Sequence, residues 1–302
     1  MVSDEAVPHV RHLYRFRSLS EFGADVEFFS KHFAPLALAD LVAVLDGRQT
    51  LTRPSFHLTF DDGFREMHDI VAPVLRQQGV PATFFLNTAF LDGGGMAHHN
   101  VLSLIADRLS QPLPTEARKK VEALAAPFSV SGDVRSGLLA ITYQDRSVVG
   151  ALADAVGLDV DQYVAEARPY LSSDQIRGLL SQGFTIGAHS HDHPLYADLT
   201  LEQQLAQTRS SLALLEARFG ARPRAFAFPH TDRGVAPEFF DQMFAAGRLD
   251  VSFGTGGLVR HFHPRNIERV GMEKGFKADR ILARQYARAL FHRVRTSAAG
   301  LS

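Results

Sequence analysis

Leu58-Thr59-Phe60-Asp61-Asp62-Gly63 sets two carboxylates side by side at the end of a short apolar run. Ser55 to Phe60 reads as a buried strand, so the acids fall on the loop at its carboxyl end, where α/β folds keep their chemistry. Adjacent acids in apolar surroundings lose solvation and repel each other unless a cation lies between them or one carries a proton. An Asp-Asp-Gly turn after a strand is also ordinary structure, so the pair needs a second signal. His189-Ser-His-Asp-His193-Pro supplies it, with three imidazoles after another short apolar strand, Phe184 to Ala188. Pro194 disfavours helical geometry at His193, and no Glu follows His189, so these are not the helical histidine pair of a zincin. If both strand ends share one face, His189 and His193 with Asp62 complete a His-His-carboxylate set that leaves positions for water.

The chain around these residues has 302 residues, 45% of them hydrophobic and 22% charged, which is globular protein with material for one large core or two smaller ones. A formal net charge of -1 argues against a nucleic-acid binder held by counterion release. With no Cys and 14 His, disulfides and thiolate sites are excluded and His, Asp and Glu are the strong ligands. No apolar run approaches the ~18 residues of a membrane span. The N-terminus, Met1 to His9, shows no basic segment followed by an apolar one, so the expectation is a cytoplasmic chain. A start downstream of a lost first strand would weaken it.

The elements that must hold the two loops follow an α/β rhythm. Leu19 to Phe33 reads as an amphipathic helix capped by Ser20, and Ala39 to Leu45 as a shorter one. Met67 to Gln78 is a helix ended by Gly79, and Pro81 to Asn87 a second buried strand. From about His99 to Arg168 the pattern turns helical, with windows at Val101 to Leu109, Glu116 to Ala125 and Arg146 to Val156 and no convincing strand. The alternation resumes with helices at Ser173 to Gln182, Leu201 to Phe219 and Pro237 to Ala246. Strands are expected at Ala225 to Phe228, Leu249 to Phe253 and Ile267 to Met272, and a closing helix at Asp279 to Val294. A parallel sheet, open or closed into a barrel, is implied, in a single domain interrupted by a mainly helical insertion at about 97–170.

Thr59-Phe-Asp-Asp-Gly63 with His189-Ser-x-x-His193 downstream resembles the polysaccharide deacetylase family, carbohydrate esterases that include chitin, peptidoglycan and nodulation-factor deacetylases. Val80-Pro-Ala-Thr-Phe-Phe and Gly183-Phe-Thr-Ile-Gly-Ala-His are similar to the same family, and the likeness spans roughly 51 to 93 and 171 to 270. It implies a distorted parallel (β/α) barrel, with Asp61 as general base and Asp62, His189 and His193 as ligands of a divalent metal. That metal is usually zinc, though cobalt, nickel or iron suits a mixed nitrogen and oxygen set. The implied reaction is removal of N-acetyl groups from an amino-sugar unit of a poly- or oligosaccharide. Hydrolysis of another small amide on the same fold, or a catalytically weak sugar-binding relative, are the alternatives.

The family's third motif falls at Phe226 to Thr231, which assigns substrate binding to Pro229 and His230 through the main-chain N–H after the proline. Ala227 stands where the family has an arginine, so how the base is oriented is open. There is no Trp for the fourth motif, and His261 and His263 are weak candidates for the catalytic acid. His191 has no counterpart role, and His98 and His99 flank the Gly93-Gly94-Gly95 run within reach of the site. Arg280, Arg284 and Arg288 make a basic stripe opposite Ile281, Tyr286 and Leu290 on the last helix. The stripe reads as a solvated face, with a membrane-surface or anionic-glycan contact as the alternative.

Overall fold

The computed structural model describes residues 1–130, 132–273 and 275–299, with side chains described through Leu290. The chain opens with an extended segment whose Val2 bridges to Arg17, followed by α1 (Leu19–His32). Ser18, not Ser20, caps this helix: its hydroxyl accepts from Glu21 N–H while the Glu21 carboxylate accepts from Ser18 N–H, a reciprocal capping box. Then come β1 (Ala34–Pro35), α2 (Leu38–Leu45), β2 (Ser55–Phe56) and β3 (Leu58–Phe60). The single strand expected over Ser55 to Phe60 is thus two. His57 divides them, Nδ1 on Leu36 O at 2.8 Å and Nε2 on Thr83 Oγ1 at 2.9 Å, so that β2 pairs with β1 and β3 joins the main sheet.

After α3 (Ala72–Gln77) and β4 (Ala82–Leu86), the chain leaves the sheet for α4 (His98–Leu109), α5 (Thr115–Ala125), α6 (Val134–Leu139), α7 (Val149–Ala155) and α8 (Val160–Ala167). No strand lies between β4 and the next sheet strand among the described residues. These helices close on their own apolar cluster, which includes Ile105, Val121, Leu138 and Leu152. The N-terminal segment ties them to the sheet: Val7 and Val10 pack with Phe64 and Tyr170, and Asn100 Nδ2 donates to His9 O at 2.8 Å.

α9 (Ser173–Ser181), β5 (Thr185–Ala188), α10 (Leu201–Phe219), β6 (Ala225–Ala227), α11 (Pro237–Ala245), β7 (Val251–Gly254), β8 (Asn266–Glu268) and α12 (Ala278–Ala299) complete the order. β3 to β8 form one six-stranded parallel sheet whose spatial order is its sequence order. Crossovers of one hand and the natural strand twist curl such a sheet into a half-barrel with β3 and β8 as its edges. Every residue of β4 is buried, as expected of a strand covered on both faces. Phe84 turns outward to the helices with Ile186, Phe226 and Phe239, whereas Phe85 turns inward with Ala227 and Phe253. α2 plugs that inner side with Leu38 and Val42. Space for Phe85 comes from Gly187, where a Cβ would lie 2.3 Å from the ring.

On α12 only Ile281 of the three expected packing residues is buried, at 2% exposure, while Tyr286 and Leu290 stand 51% and 63% exposed. Arg284 covers the Phe276 ring at 4.0 Å, so part of the basic stripe is packing rather than free surface. Among the described residues no helix is long and apolar enough to cross a membrane.

Candidate active site

β3 ends at Phe60 and β5 at Ala188, two strands apart in one parallel sheet, so Asp61, Asp62 and His189 emerge on the same rim. Pairing extends past the strand ends: Thr88 N–H donates to Ser190 O at 3.3 Å and Ala89 N–H to His191 O at 2.9 Å. Within the histidine loop, Ser190 Oγ accepts His193 N–H at 2.9 Å and folds the chain back on itself. Asp62, Ser190, His193 and His230 all have positive φ, at 78°, 69°, 66° and 58°. A left-handed non-glycine residue costs about 1–3 kcal/mol, and four of them at one rim is strain concentrated where side chains must be aimed.

Asp62 Oδ1 lies 3.4 Å from His189 Nε2 and 3.2 Å from His193 Nε2. His189 Nδ1 is 2.8 Å from Ala227 O and donates to it, which leaves Nε2 of the neutral ring as a lone pair facing the carboxylate. A lone pair against a carboxylate oxygen is repulsive unless a cation or a proton sits between them. Ligand atoms about 2.0–2.1 Å from a tetrahedral ion are about 3.3–3.4 Å apart, which is the spacing observed, so this set fits a divalent transition metal. His189 is 2% and His193 4% exposed, and the three ligand atoms lie within 4.8 Å of one another. Burial alone would raise the Asp62 carboxyl, but without an ion the two imidazoles, when protonated, donate to it and hold it well below the usual carboxylate range.

Asp61 points to a different partner. Arg269, the first residue past β8, donates from Nη1 to Asp61 Oδ1 at 2.7 Å and from Nη2 to Oδ2 at 2.8 Å. Its Nη1 also reaches Thr59 Oγ1 at 3.0 Å, and its Nε donates to Gly254 O at 3.1 Å. This planar two-point grip holds the carboxylate away from the histidines and fixes its direction. Burial pushes the Asp61 carboxyl up, but Arg269 and His189 outweigh that and lower it overall. A cavity of about 350 Å³ lies beside this pair at the gap between the sheet edges, lined by Phe22, Phe60, Thr59 and Met272.

The remaining candidates divide. His230 is exposed, its ring 4.5 Å from His193, and its main-chain N–H has no acceptor among the described residues. Pro229 O accepts Thr231 N–H at 2.6 Å in the turn that carries His230. Ala227 acts through its carbonyl on His189, and the orienting arginine comes from β8 instead. Expecting a strand over Ile267 to Met272 hid it: the strand stops at Glu268, so Arg269 ends a strand just as Asp61 does. His261 and His263 lie against Phe240 and Phe244, with no hydrogen bond or ring contact to the Asp62 cluster among the described residues. His191 is exposed, its Nδ1 3.0 Å from Thr88 Oγ1. His98 and His99 sit on the first turn of α4, and the His99 ring reaches within 4.5 Å of His193.

The comparisons with known proteins follow this geometry. The family model for Polysaccharide deacetylase matches residues 48–123 and 142–236. A Streptococcus pyogenes deacetylase, PplD, solved in complex with acetate, superposes with TM-score 0.59 at 11% identity, covering 94% of each chain. A de-N-acetylase from Aggregatibacter actinomycetemcomitans gives 0.56 at 13% identity over 92% of this chain and 95% of its own. IcaB from Ammonifex degensii gives 0.53 at 15% identity over 84% and 83%. No curated protein matches the sequence. Those structures share the fold, and because the family model spans more than half of the chain around both strand-end loops, the protein belongs to the polysaccharide deacetylase family.

Proposed function

We propose that the protein is a metal-dependent N-deacetylase that releases acetate from an N-acetylated amino-sugar unit of a poly- or oligosaccharide. The observation that carries this reading is the 3.2–3.4 Å spacing of Asp62 Oδ1 from two imidazole nitrogens, beside a carboxylate held apart by a guanidinium. Asp62, His189 and His193 hold the ion, zinc first, with cobalt, nickel or iron accepted by the same donors. When bound, such an ion supplies a water of lowered pKa and polarises the acetamide carbonyl.

Asp61 takes the proton of the attacking water at a carboxylate oxygen, and Arg269 keeps it ionised and correctly turned until it does so. The His230 main-chain N–H, free of an internal acceptor, faces the oxygen that gains charge as the carbonyl becomes tetrahedral. The helical insertion brings His98 and His99 to the same rim within a single catalytic domain. Acetate, seen with the Streptococcus pyogenes relative, is the product this reaction requires.

The test is acetate release from N-acetylglucosamine oligomers by purified protein before chelation, after it, and after zinc is returned. Release that disappears and recovers supports the reading. Retained metal with no acetate from any acetamido sugar points to a sugar-binding relative, and turnover of non-sugar amides alone to a different amidohydrolase.

A further inference from the structure

We propose that His99, His193 and His230 form a second seat for a divalent transition-metal ion, sharing His193 with the first. The inference builds on the reading of Asp62, His189 and His193 as a metal set, but it rests on separate atoms. One ring nitrogen from each of His99, His193 and His230 lies within 4.8 Å of the other two. The rings pack at centroid distances of 4.5 Å for His99 and His193, 4.5 Å for His193 and His230, and 5.8 Å for His99 and His230.

His193 turns Nε2 toward Asp62, and its Nδ1 is buried with no hydrogen-bond partner. A metal-bound histidine ordinarily gives its second nitrogen to a carbonyl or carboxylate, as His189 does with Ala227 O. Here the space around His193 holds two more imidazoles instead, and His99 Nδ1 is also buried and unpartnered. Unpaired buried polar atoms cost about 1–3 kcal/mol each, and a cation among them removes that cost.

Three imidazoles without a carboxylate select borderline ions such as zinc, cobalt, nickel or copper over magnesium or calcium. With Nε2 committed to the first ion, the second takes the place of the Nδ1 proton, which leaves to solvent. Because His99 belongs to α4, the second ion also pins the helical insertion to the strand ends.

The experiment strips full-length protein with a chelator, dialyses it against Co(II), and counts ions per chain in parallel with acetate release. Two ions are expected for the parent and for His32→Ala, an exposed histidine elsewhere on the surface. One is expected for His99→Ala and, independently, for His230→Ala, with circular dichroism confirming that each variant folds. A parent that holds one ion, or a His99→Ala variant that still holds two, overturns the inference. One ion with acetate released leaves the deacetylase reading standing alone, whereas two ions without acetate removes that reading and keeps the second seat.

Discussion

On the sheet side of the histidine cluster, His189 is tied through Nδ1 to Ala227 O and turns its other nitrogen to Asp62. On the insertion side, His98 and His99 meet edge to face at 5.3 Å, and both leave Nδ1 buried without a partner. The same side chain is aimed by the backbone on one wall and merely confined on the other. Parallel strand ends explain the difference, because carbonyls left over where pairing stops are ready acceptors for a ring N–H. A first helical turn presents its own unpaired N–H groups and has no such carbonyl to offer.

If the sheet-side wall is the principal metal seat, Asp62→Asn is the most damaging change. It should remove the ion held at Asp62, taking the count from two per chain to one, together with acetate release, as read by metal analysis and product assay. Parental metal content in that variant would transfer the main site to the insertion wall. Asp61→Asn should keep its metal and lose about 100-fold to 10,000-fold in turnover, since an amide cannot accept the proton. Equal metal loss in both variants would mean that the two acids bind as a unit and that no dedicated base exists.

The insertion can be weakened on its own terms. Leu152, fully buried in the helical cluster, should cost about 2–5 kcal/mol when changed to Ala, measured by denaturant unfolding. Zinc affinity at Asp62 under native conditions should stay within a few fold. Parallel loss of both would show that the walls fold as one cooperative unit.

The smallest effect concerns His9, which joins the N-terminal segment to the insertion through Nδ1 and Tyr163 OH at 2.9 Å. Burial, aided by Arg65, lowers its pKa from 6.5 to about 4. The unfolded chain therefore takes up a proton at a pH where the folded chain does not. This contribution is complete above pH 6.5 and is lost as pH falls toward 4, up to about 3 kcal/mol. Unfolding midpoints between pH 7 and 4 should fall less steeply in His9→Phe than in the parent. Equal slopes would mean that His9 does not govern the acid limb.

The sheet and the convergence of Asp62, His189 and His193 were legible in the sequence because each depends on a short local pattern, an apolar run ending in polar residues. Arg269 was not, since its meaning depends on β8 lying at the far edge of a curled sheet and stopping at Glu268. His99 was noticed but could not be placed, because helical periodicity gives a helix its faces and not its docking site. The capping serine and the divided strand show the finer limit. Ser18 and Ser20 are equivalent as letters, and only the hydroxyl's reach to Glu21 N–H separates them. His57 looks like one residue of a strand until its two nitrogens find partners on either side.

The grip of Arg269 on Asp61 joins residues 208 positions apart in the chain. All three proposed ligands of the first ion precede Pro194, whereas the arginine that grips Asp61 is made some 75 residues after His193. During synthesis, then, the ligand residues emerge from the ribosome well before the base can be oriented. On the proposed reading, the side chains that would hold the ion are made before the one that orients the base, and the site is complete only when the last strand of the sheet has been added.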